Sequence, residues 1–394
     1  MICAPEKRNI RRKITLLANG PGELWGWVRP VAAELSGRGW EIALRILPCQ
    51  FASGEERHIA LSLGFPTVLG PESPLRTAAA LCSGNERTDA VFQLGGDLLW
   101  GRMLAAKSRA PLFCYTYGKK SGLERCTAVF TAYPSMAEAM KLPKGKLGRV
   151  YLAGDLVADS LDLPQESVQG TQDAPENACA GQTVAFFPGS RGPIRKQALP
   201  FICRTVSSLR ERIPDIAARV ILSPFTSSGD EEFAFWRSGG FVPVRGGTRS
   251  ALHGVDLAVT QPGTNTLELM HCAVPFLAVV PFSFLRQVPL SGIAGALAGI
   301  PLVGPALREG VLRAKARRRR GFLAWPNRIA GEAVVDEMIG DISPEDVARA
   351  AAELLLDRET LARTRKSLAV ISASTPRNAA VSVADIIERT LVHT

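Results

Sequence analysis

The chain lacks the Cys-x-x-Cys pairs and Cys/His spacings that hold zinc: its eight cysteines stand singly among 394 residues, and it has only four histidines. A structural metal site and a disulfide framework are therefore not expected, and the thiols read as small buried hydrophobes in a reducing compartment. His58, His253, His271 and His393 read as structural or surface groups. The basic N-terminus "MICAPEKRNIRRKITLLANG" has only "ITLLA" as an apolar run, shorter than the roughly 7–15 residues of a signal-peptide core. A cytoplasmic protein is expected. No repeat with a solenoid period is visible. The glycine loop at residues 186–192 is followed by no Gly-Lys-Ser/Thr and does not read G-x-G-x-x-G. ATP hydrolysis and dinucleotide chemistry are thereby disfavoured. An Asp-x-Asp metal motif is missing too, so neither a metal nor another cofactor is invoked.

What the chain does have is a net charge of +10, which suits an anionic partner. Sign alone does not choose among nucleic acid, a membrane surface and a phosphorylated substrate. Its length and 46% apolar content allow two cores. Apolar runs alternate with amphipathic stretches: "KITLLANG", "EIALRILPC", "TDAVFQLGGD", "APLFCYTYG" and "AVFTAYP" in the first half, then "TVAFFPG", "AARVILSP", "FVPVRGG", "VDLAVTQPG" and "VPFLAVVPF". This is the rhythm of βαβ units on parallel sheets, with ligands at the carboxyl ends of the strands. The expected organisation is an N-terminal α/β domain (1–165), a polar linker (166–182) and a second α/β domain (183–365) containing an inserted segment (284–320). A C-terminal helix (366–394) is expected to pack back on the first domain. Before it, Ser343 is a candidate N-cap, with Glu345 and Asp346 in the first turn.

Three loops could carry chemistry. "PGTNTLELMHCAVP" follows a strand and opens a helix, so its first amides and a partial positive charge face outward. Gly263 would let a ligand approach, Thr264, Asn265 and Thr266 offer short polar side chains, and Glu268 could accept from sugar hydroxyls; a well-capped helix is the alternative. "FFPGSRGPIRKQ" is a second strand, loop and helix start. Here Gly189 and Ser190 would line a diphosphate and Arg191 could give it two parallel bonds, while Arg195 and Lys196 are expected to face solvent. In the first half, "ANGPGELWGWVRPVAAEL" carries Gly22 and Glu23 in a loop after a strand, where a plain tight turn is equally open. "VFQLGGDLLW" places Asp97 at a strand's carboxyl end, either as a base for an acceptor hydroxyl or as a helix cap.

The stretch from 282 to 327 is uncharged between Arg286 and Arg308 and strongly basic beyond it. Pro289, Pro301 and Pro305 oppose a continuous spanning helix, so partial insertion into one leaflet is expected. The following arginines would meet anionic headgroups at about 1 kcal/mol each. A buried hairpin beside a solvated basic helix is the alternative. Nucleic acid is disfavoured because the arginines lack interleaved aromatics.

Taken in order, "FFPGSRG", "PGTNTLE" and "WPNRIAGEAVVDEMIGDISPEDVA" resemble the Leu-Pro-Gly-Ser-Arg, Ser-Gly-Thr-x-x-Leu-Glu and Pro-Asn-x-x-Ala-Gly segments of the lipid-A-disaccharide synthase family. These are inverting glycosyltransferases of the GT-B fold, in which two Rossmann-like domains face a central cleft. The similarity is clearest from about Thr183 to Ala350 and weaker from about Ile14 to Leu156. It implies Asp97 as the catalytic carboxylate, Arg191 as a diphosphate contact and Asn327 as a nucleotide contact. It also implies a UDP-sugar donor, a lipid acceptor, the cytoplasmic face of the inner membrane, and a homodimer. The expected reaction joins UDP-2,3-diacylglucosamine to lipid X, releasing UDP and lipid A disaccharide. Departures are Glu23 for Asp, Gly154-Asp155 for Gly-His, Glu332-Ala333 for Arg-Glu, and "YTYGKKSGLERC" where Ser-Pro-Ser-x-Trp-Ala-Trp is usual. They bear on sugar and acyl preference more than on fold. A UDP-sugar 2-epimerase and a non-catalytic lipid-binding homologue are the competing expectations.

Overall fold

The structure, a computed structural model, describes residues 12–49, 56–83, 87–142, 149–164, 181–189, 192–226, 231–287 and 321–392. The chain divides into two compact units, Met1–Leu156 with Asn378–Thr394 (unit 1) and Val157–Arg377 (unit 2).

Unit 1 is built on a seven-stranded sheet of β1 (Lys13–Ala18), β2 (Glu41–Ile46), β3 (Thr67–Leu69), β4 (Ala90–Gln93), β5 (Leu112–Tyr115), β6 (Ala128–Thr131) and β7 (Val150–Leu152). Its helices are α1 (Pro21–Glu23), α2 (Arg29–Gly37), α3 (Glu56–Ser62), α4 (Pro74–Ser83), α5 (Leu98–Ser108) and α6 (Pro134–Ala139), with a π-helical turn at Leu24–Val28. The strand order is β3-β2-β1-β4-β5-β6-β7, and every pairing is parallel. Interior strands read as unbroken apolar runs because helices cover both faces. β4, β5 and β6 are buried at every residue. Phe92 and Phe130 meet edge to face at 5.7 Å in this core, and full burial of such a side chain contributes about 1.5–3 kcal/mol.

Unit 2 begins within α7 (Leu156–Asp162) and repeats the plan with β8 (Thr183–Phe186), β9 (Ala217–Leu222), β10 (Val242–Arg245), β11 (Leu257–Thr260), β12 (Phe276–Pro281) and β13 (Asp336–Gly340). The order is β10-β9-β8-β11-β12-β13, again all parallel. Its helices are α8 (Gly192–Arg212), α9 (Glu231–Ser238), α10 (Arg249–Leu252), α11 (Asn265–His271), α12 (Trp325–Ala330), α13 (Pro344–Leu356) and α14 (Arg358–Ala373). Leu209 of α8 and Val347 and Ala351 of α13 close one face of this sheet over Val184, Val220 and Leu257. Ser343 caps α13 through a reciprocal box with Asp346: the hydroxyl accepts from the Asp346 amide at 3.0 Å and the carboxylate accepts from the Ser343 amide at 3.1 Å.

The chain then returns to unit 1 as α15 (Ala379–Val392), which completes a helical C-terminal tail. Arg38, at the end of α2, donates to Glu34 at 2.7 Å, to Asp385 at 2.6 Å and to Glu388 at 2.9 Å. The Trp40 indole adds a bond to Glu388 at 3.0 Å. In both sheets the order in which strands are added reverses at the first strand, between β1 and β4 and between β8 and β11. In doubly wound sheets the carboxyl ends beside such a switch are where ligands bind.

Six cysteines among the described residues are free thiols, Cys114 and Cys126 buried and Cys82 exposed. No described helix is long and apolar enough to cross a membrane. The expected membrane segment, 284–320, lies outside the described residues apart from the short 3-10 helix Phe282–Gln287 that leads into it.

Candidate functional site

In unit 1 the loop after β1 and the loop after β4 interlock. Gly95 permits this: a Cβ there would stand 2.9 Å from Asn19 Oδ1 and 3.2 Å from Glu23 Cγ. Gly96 takes a positive φ of 70°, which L side chains rarely adopt. The wholly buried Gln93 lies beneath, its amide donating to the carbonyls of Gly95 and Asp97. Lys120 reaches in from the loop after β5 and donates to the Gly96 carbonyl at 2.9 Å. The turn that presents Asp97 is thus held by two side chains, Gln93 from the end of β4 and Lys120 from the loop after β5.

Asp97 fulfils the cap reading and leaves the base reading available. It is the N-cap of α5, and its Oδ1 accepts from the Leu99 amide at 2.8 Å. The residue is solvent-exposed, and Oδ2 has no partner among the described residues. Such a carboxylate is oriented by one oxygen and accessible through the other. Gly22 and Glu23 lie in the single turn of α1, half-buried, and Glu23 folds back so that its Oε2 would stand 2.5 Å from a Cβ on Gly20.

In unit 2, Gly189 ends the turn after β8 with a positive φ of 105°. Ser190 and Arg191 lie outside the described residues. Arg195, expected to face solvent, instead pairs with Glu232 of α9 at 3.0 Å and is half-buried. The Lys196 side chain lies outside the described residues.

At the start of α11, Gly263 is exposed and open space surrounds its Cβ position. Thr266 is not a group facing outward as its sequence position suggested. It is wholly buried, and its amide and hydroxyl both donate to the Gly263 carbonyl, at 3.1 and 2.8 Å. Among the described residues the amides of Thr264 and Asn265 donate to nothing, so these two carry the anion-accepting capacity of the turn. Glu268 is half-buried one turn on.

Asn327 also differs from its expected role. Its amide nitrogen donates to the Val335 carbonyl at 2.8 Å and to Glu337 at 3.0 Å; its oxygen accepts from the amides of Val334 and Val335 at 2.8 and 2.9 Å. Those four bonds use its whole capacity. The side chain shapes the turn between α12 and β13, and has no bond left for a nucleotide. Glu337 extends this network by accepting from the Leu323 and Ala324 amides at 2.9 and 2.8 Å. The block docks on α11 where the Trp325 amide donates to Thr266 Oγ1 at 3.3 Å, and Arg328 lies over the Trp325 ring at 3.9 Å.

The far end of α11 is clamped. Arg249 pairs with Asp162 at 2.5 Å and donates to the His271 carbonyl at 2.7 Å. Burial pushes the neighbouring Cys272 thiol up to about 12 against the pull of the Arg249 charge. His271 is structural: it is buried, with Nδ1 2.8 Å from Ser372 Oγ. Among the described residues no group of three His, Cys, Asp or Glu is placed to hold a metal ion. Sequence reading missed Asn19, Gln93, Lys120, Glu337 and Arg249. Among their sequence surroundings, the Gly95-Gly96 pair is the feature that could have marked the close approach of Asn19 and Glu23.

No family model and no curated protein matches the chain. Solved structures do, over nearly its full length. A Staphylococcus aureus MnaA co-structure with UDP is 14% identical with a TM-score of 0.61, covering 96% of this chain and 97% of that one. UDP-GlcNAc 2-epimerase from Neisseria meningitidis, bound to UDP-GlcNAc, is 12% identical at a TM-score of 0.54, covering 98% and 100%. Acinetobacter baumannii MurG is 13% identical at 0.52, covering 96% and 99%. With these neighbours and its two doubly wound parallel sheets, the chain has the GT-B fold.

Proposed function

We propose that the chain is a UDP-sugar-dependent glycosyltransferase that moves a glucosamine-type sugar, with inversion, to a lipid acceptor, as in lipid A disaccharide synthesis. One observation carries the reading: Asp97 stands at the carboxyl end of β4, beside the switch point of unit 1, oriented through Oδ1 and open at Oδ2. In the proposed reaction Oδ2 takes the proton of the acceptor hydroxyl, whose oxygen attacks the anomeric carbon of the donor. The bond to UDP breaks, and the amides of Thr264 and Asn265 with Arg191 receive the negative charge that develops on the diphosphate. Gly22 and Glu23 serve the acceptor side, while Gly189, Ser190, Gly263 and Glu268 serve the nucleotide-sugar side. Asn327 and Thr266 contribute by holding the loops. The basic segment 308–320 supplies the attraction to an anionic membrane surface.

Purified protein given UDP-2,3-diacylglucosamine and its lipid monophosphate acceptor is expected to release UDP. Asp97→Asn should slow release by about 100- to 10,000-fold while leaving UDP affinity intact. A wild-type rate in that variant removes Asp97 from the chemistry. The epimerase reading is supported by the full-length match to UDP-GlcNAc 2-epimerase. It requires conversion of UDP-GlcNAc without any acceptor and no retention on anionic vesicles, so acceptor-free turnover selects it.

A further inference from the structure

Beneath the loop after β1 lies a buried hydrogen-bonded chain that the proposed chemistry does not use. Asp155, wholly buried just past β7, accepts from the Tyr117 hydroxyl at 2.5 Å. The Tyr117 oxygen accepts in turn from the Trp27 indole at 3.1 Å. The rings meet edge to face, Trp27 with Tyr117 at 4.9 Å and with Tyr115 at 5.2 Å. Tyr115 pins the peptide on both sides of Asp155: its hydroxyl donates to the Gly154 carbonyl at 2.9 Å and accepts from the Leu156 amide at 3.2 Å. Burial, and then the Asp155 charge, hold the Tyr115 and Tyr117 phenols well above their ordinary range, so both stay protonated donors.

Burying a carboxylate is costly, and apolar packing would fill the same volume more cheaply. A carboxylate adds direction, because it fixes where Tyr117 and then Trp27 must point. Trp27 belongs to the π-helical turn Leu24–Val28, which starts directly after Glu23. Such turns are rare, and here the indole bond supports one from outside. Glu23 in turn packs against Gly95, whose Cβ position is 3.2 Å from Glu23 Cγ, in the loop that carries Asp97. We propose that Asp155 is a positioning residue: through Tyr117 and Trp27 it fixes the Leu24–Val28 turn, and with it the seat of Glu23 against the Gly95-Gly96-Asp97 loop. This rests on the transferase reading, in which that loop presents the base.

The test compares wild type, Trp27→Phe, Asp155→Ala, the double variant and Asp155→Asn. Readouts are kcat and KM for UDP release, UDP affinity, thermal melting, and amide hydrogen exchange over residues 20–28. Trp27→Phe and Asp155→Ala should each lower kcat by about 10- to 100-fold, the scale of a displaced catalytic group, with KM and UDP affinity unchanged and exchange over 20–28 faster. The double variant should lose no more than the worse single one, and Asp155→Asn, which keeps an acceptor, should recover much of the rate. Wild-type kcat in Trp27→Phe, or a double variant whose loss is the product of the two, overturns the proposal. If Asp155→Ala does not fold, Tyr117→Phe takes its place in the cycle. A wild-type protein that binds UDP yet releases none overturns the transferase reading instead. The exchange data then decide the positioning role, and unchanged exchange over 20–28 overturns it.

Discussion

Replacing Asn327 with alanine separates a residue that shapes the nucleotide side from one that touches the nucleotide. The change removes four hydrogen bonds; it strands the buried Val335 carbonyl and amide and leaves the half-buried Val334 amide without its partner. An orphaned buried group costs about 1–3 kcal/mol, and water entering the vacated space can re-pair one of the three. The expected loss is about 3–5 kcal/mol, a large share of the 5–15 kcal/mol that ordinarily separates folded from unfolded chains. A urea titration should show a lower midpoint for unit 2, and melting should fall by about 10 °C. Glu337 keeps its bonds from Leu323 and Ala324, so α12 stays near α11 and UDP affinity should weaken by no more than about tenfold, or 1.4 kcal/mol. Asn327→Asp should do at least as much damage, since it turns two donors into acceptors facing a carbonyl and a carboxylate. An unchanged urea midpoint together with lost UDP binding would refute this reasoning and return the side chain to direct ligand contact.

Other outcomes follow from contacts elsewhere. Gly95→Ala places a methyl 2.9 Å from Asn19 Oδ1, so it should cost about 1–3 kcal/mol and slow UDP release; a wild-type rate in a normally folded variant would show that the two loops yield freely. Arg38→Ala breaks an i,i+4 pair with Glu34 of α2 and two contacts to Asp385 and Glu388 of α15, all with carboxylates that are only partly buried. It should lower stability by about 1–2 kcal/mol in dilute buffer and by less in high salt, and a salt-independent loss would argue against an electrostatic anchor. Cys272, with its thiol raised from 9.0 to about 12, loses its proton more readily in the unfolded chain. Unfolding free energy should therefore fall as pH rises from about 9 towards 12, and Cys272→Ser should flatten that slope. In native protein the exposed Cys82 should react with an alkylating reagent well before Cys272.

The parallel sheets were legible because their interior strands are continuous apolar runs, as in "ITLLA" and "AVFQ". The strands that escaped notice are edges. β7 leaves Tyr151 and Leu152 exposed, and β13, "DEMIG", has no buried residue and no apolar alternation to read. The two α/β halves follow from the same interior runs, while the GT-B fold was expected from the family resemblance of "FFPGSRG", "PGTNTLE" and "WPNRIAGE". Positions of site residues were legible where local chain geometry decides them, as for Asp97 after its strand and Ser343 before its helix. They were illegible where the partner is remote in sequence. Nothing near Arg195 announces Glu232, and nothing near Asn327 announces that Glu337 and Val335 will exhaust its amide. The Gly95-Gly96 pair was read only as the lead into Asp97, and that Asn19 and Glu23 close on Gly95 took the structure to show.

Because the chain leaves unit 1 at Leu156 and re-enters it at Asn378, that unit is discontinuous. During synthesis α2 has no α15 to pack against until all of unit 2 has emerged. Unit 2, made from one continuous stretch, has every strand and helix available sooner. The half of the molecule translated first is thus the last able to finish folding, and a ribosome-bound chain stopped near residue 377 would expose to chaperones and proteases the very surface on which Arg38 later receives Asp385 and Glu388.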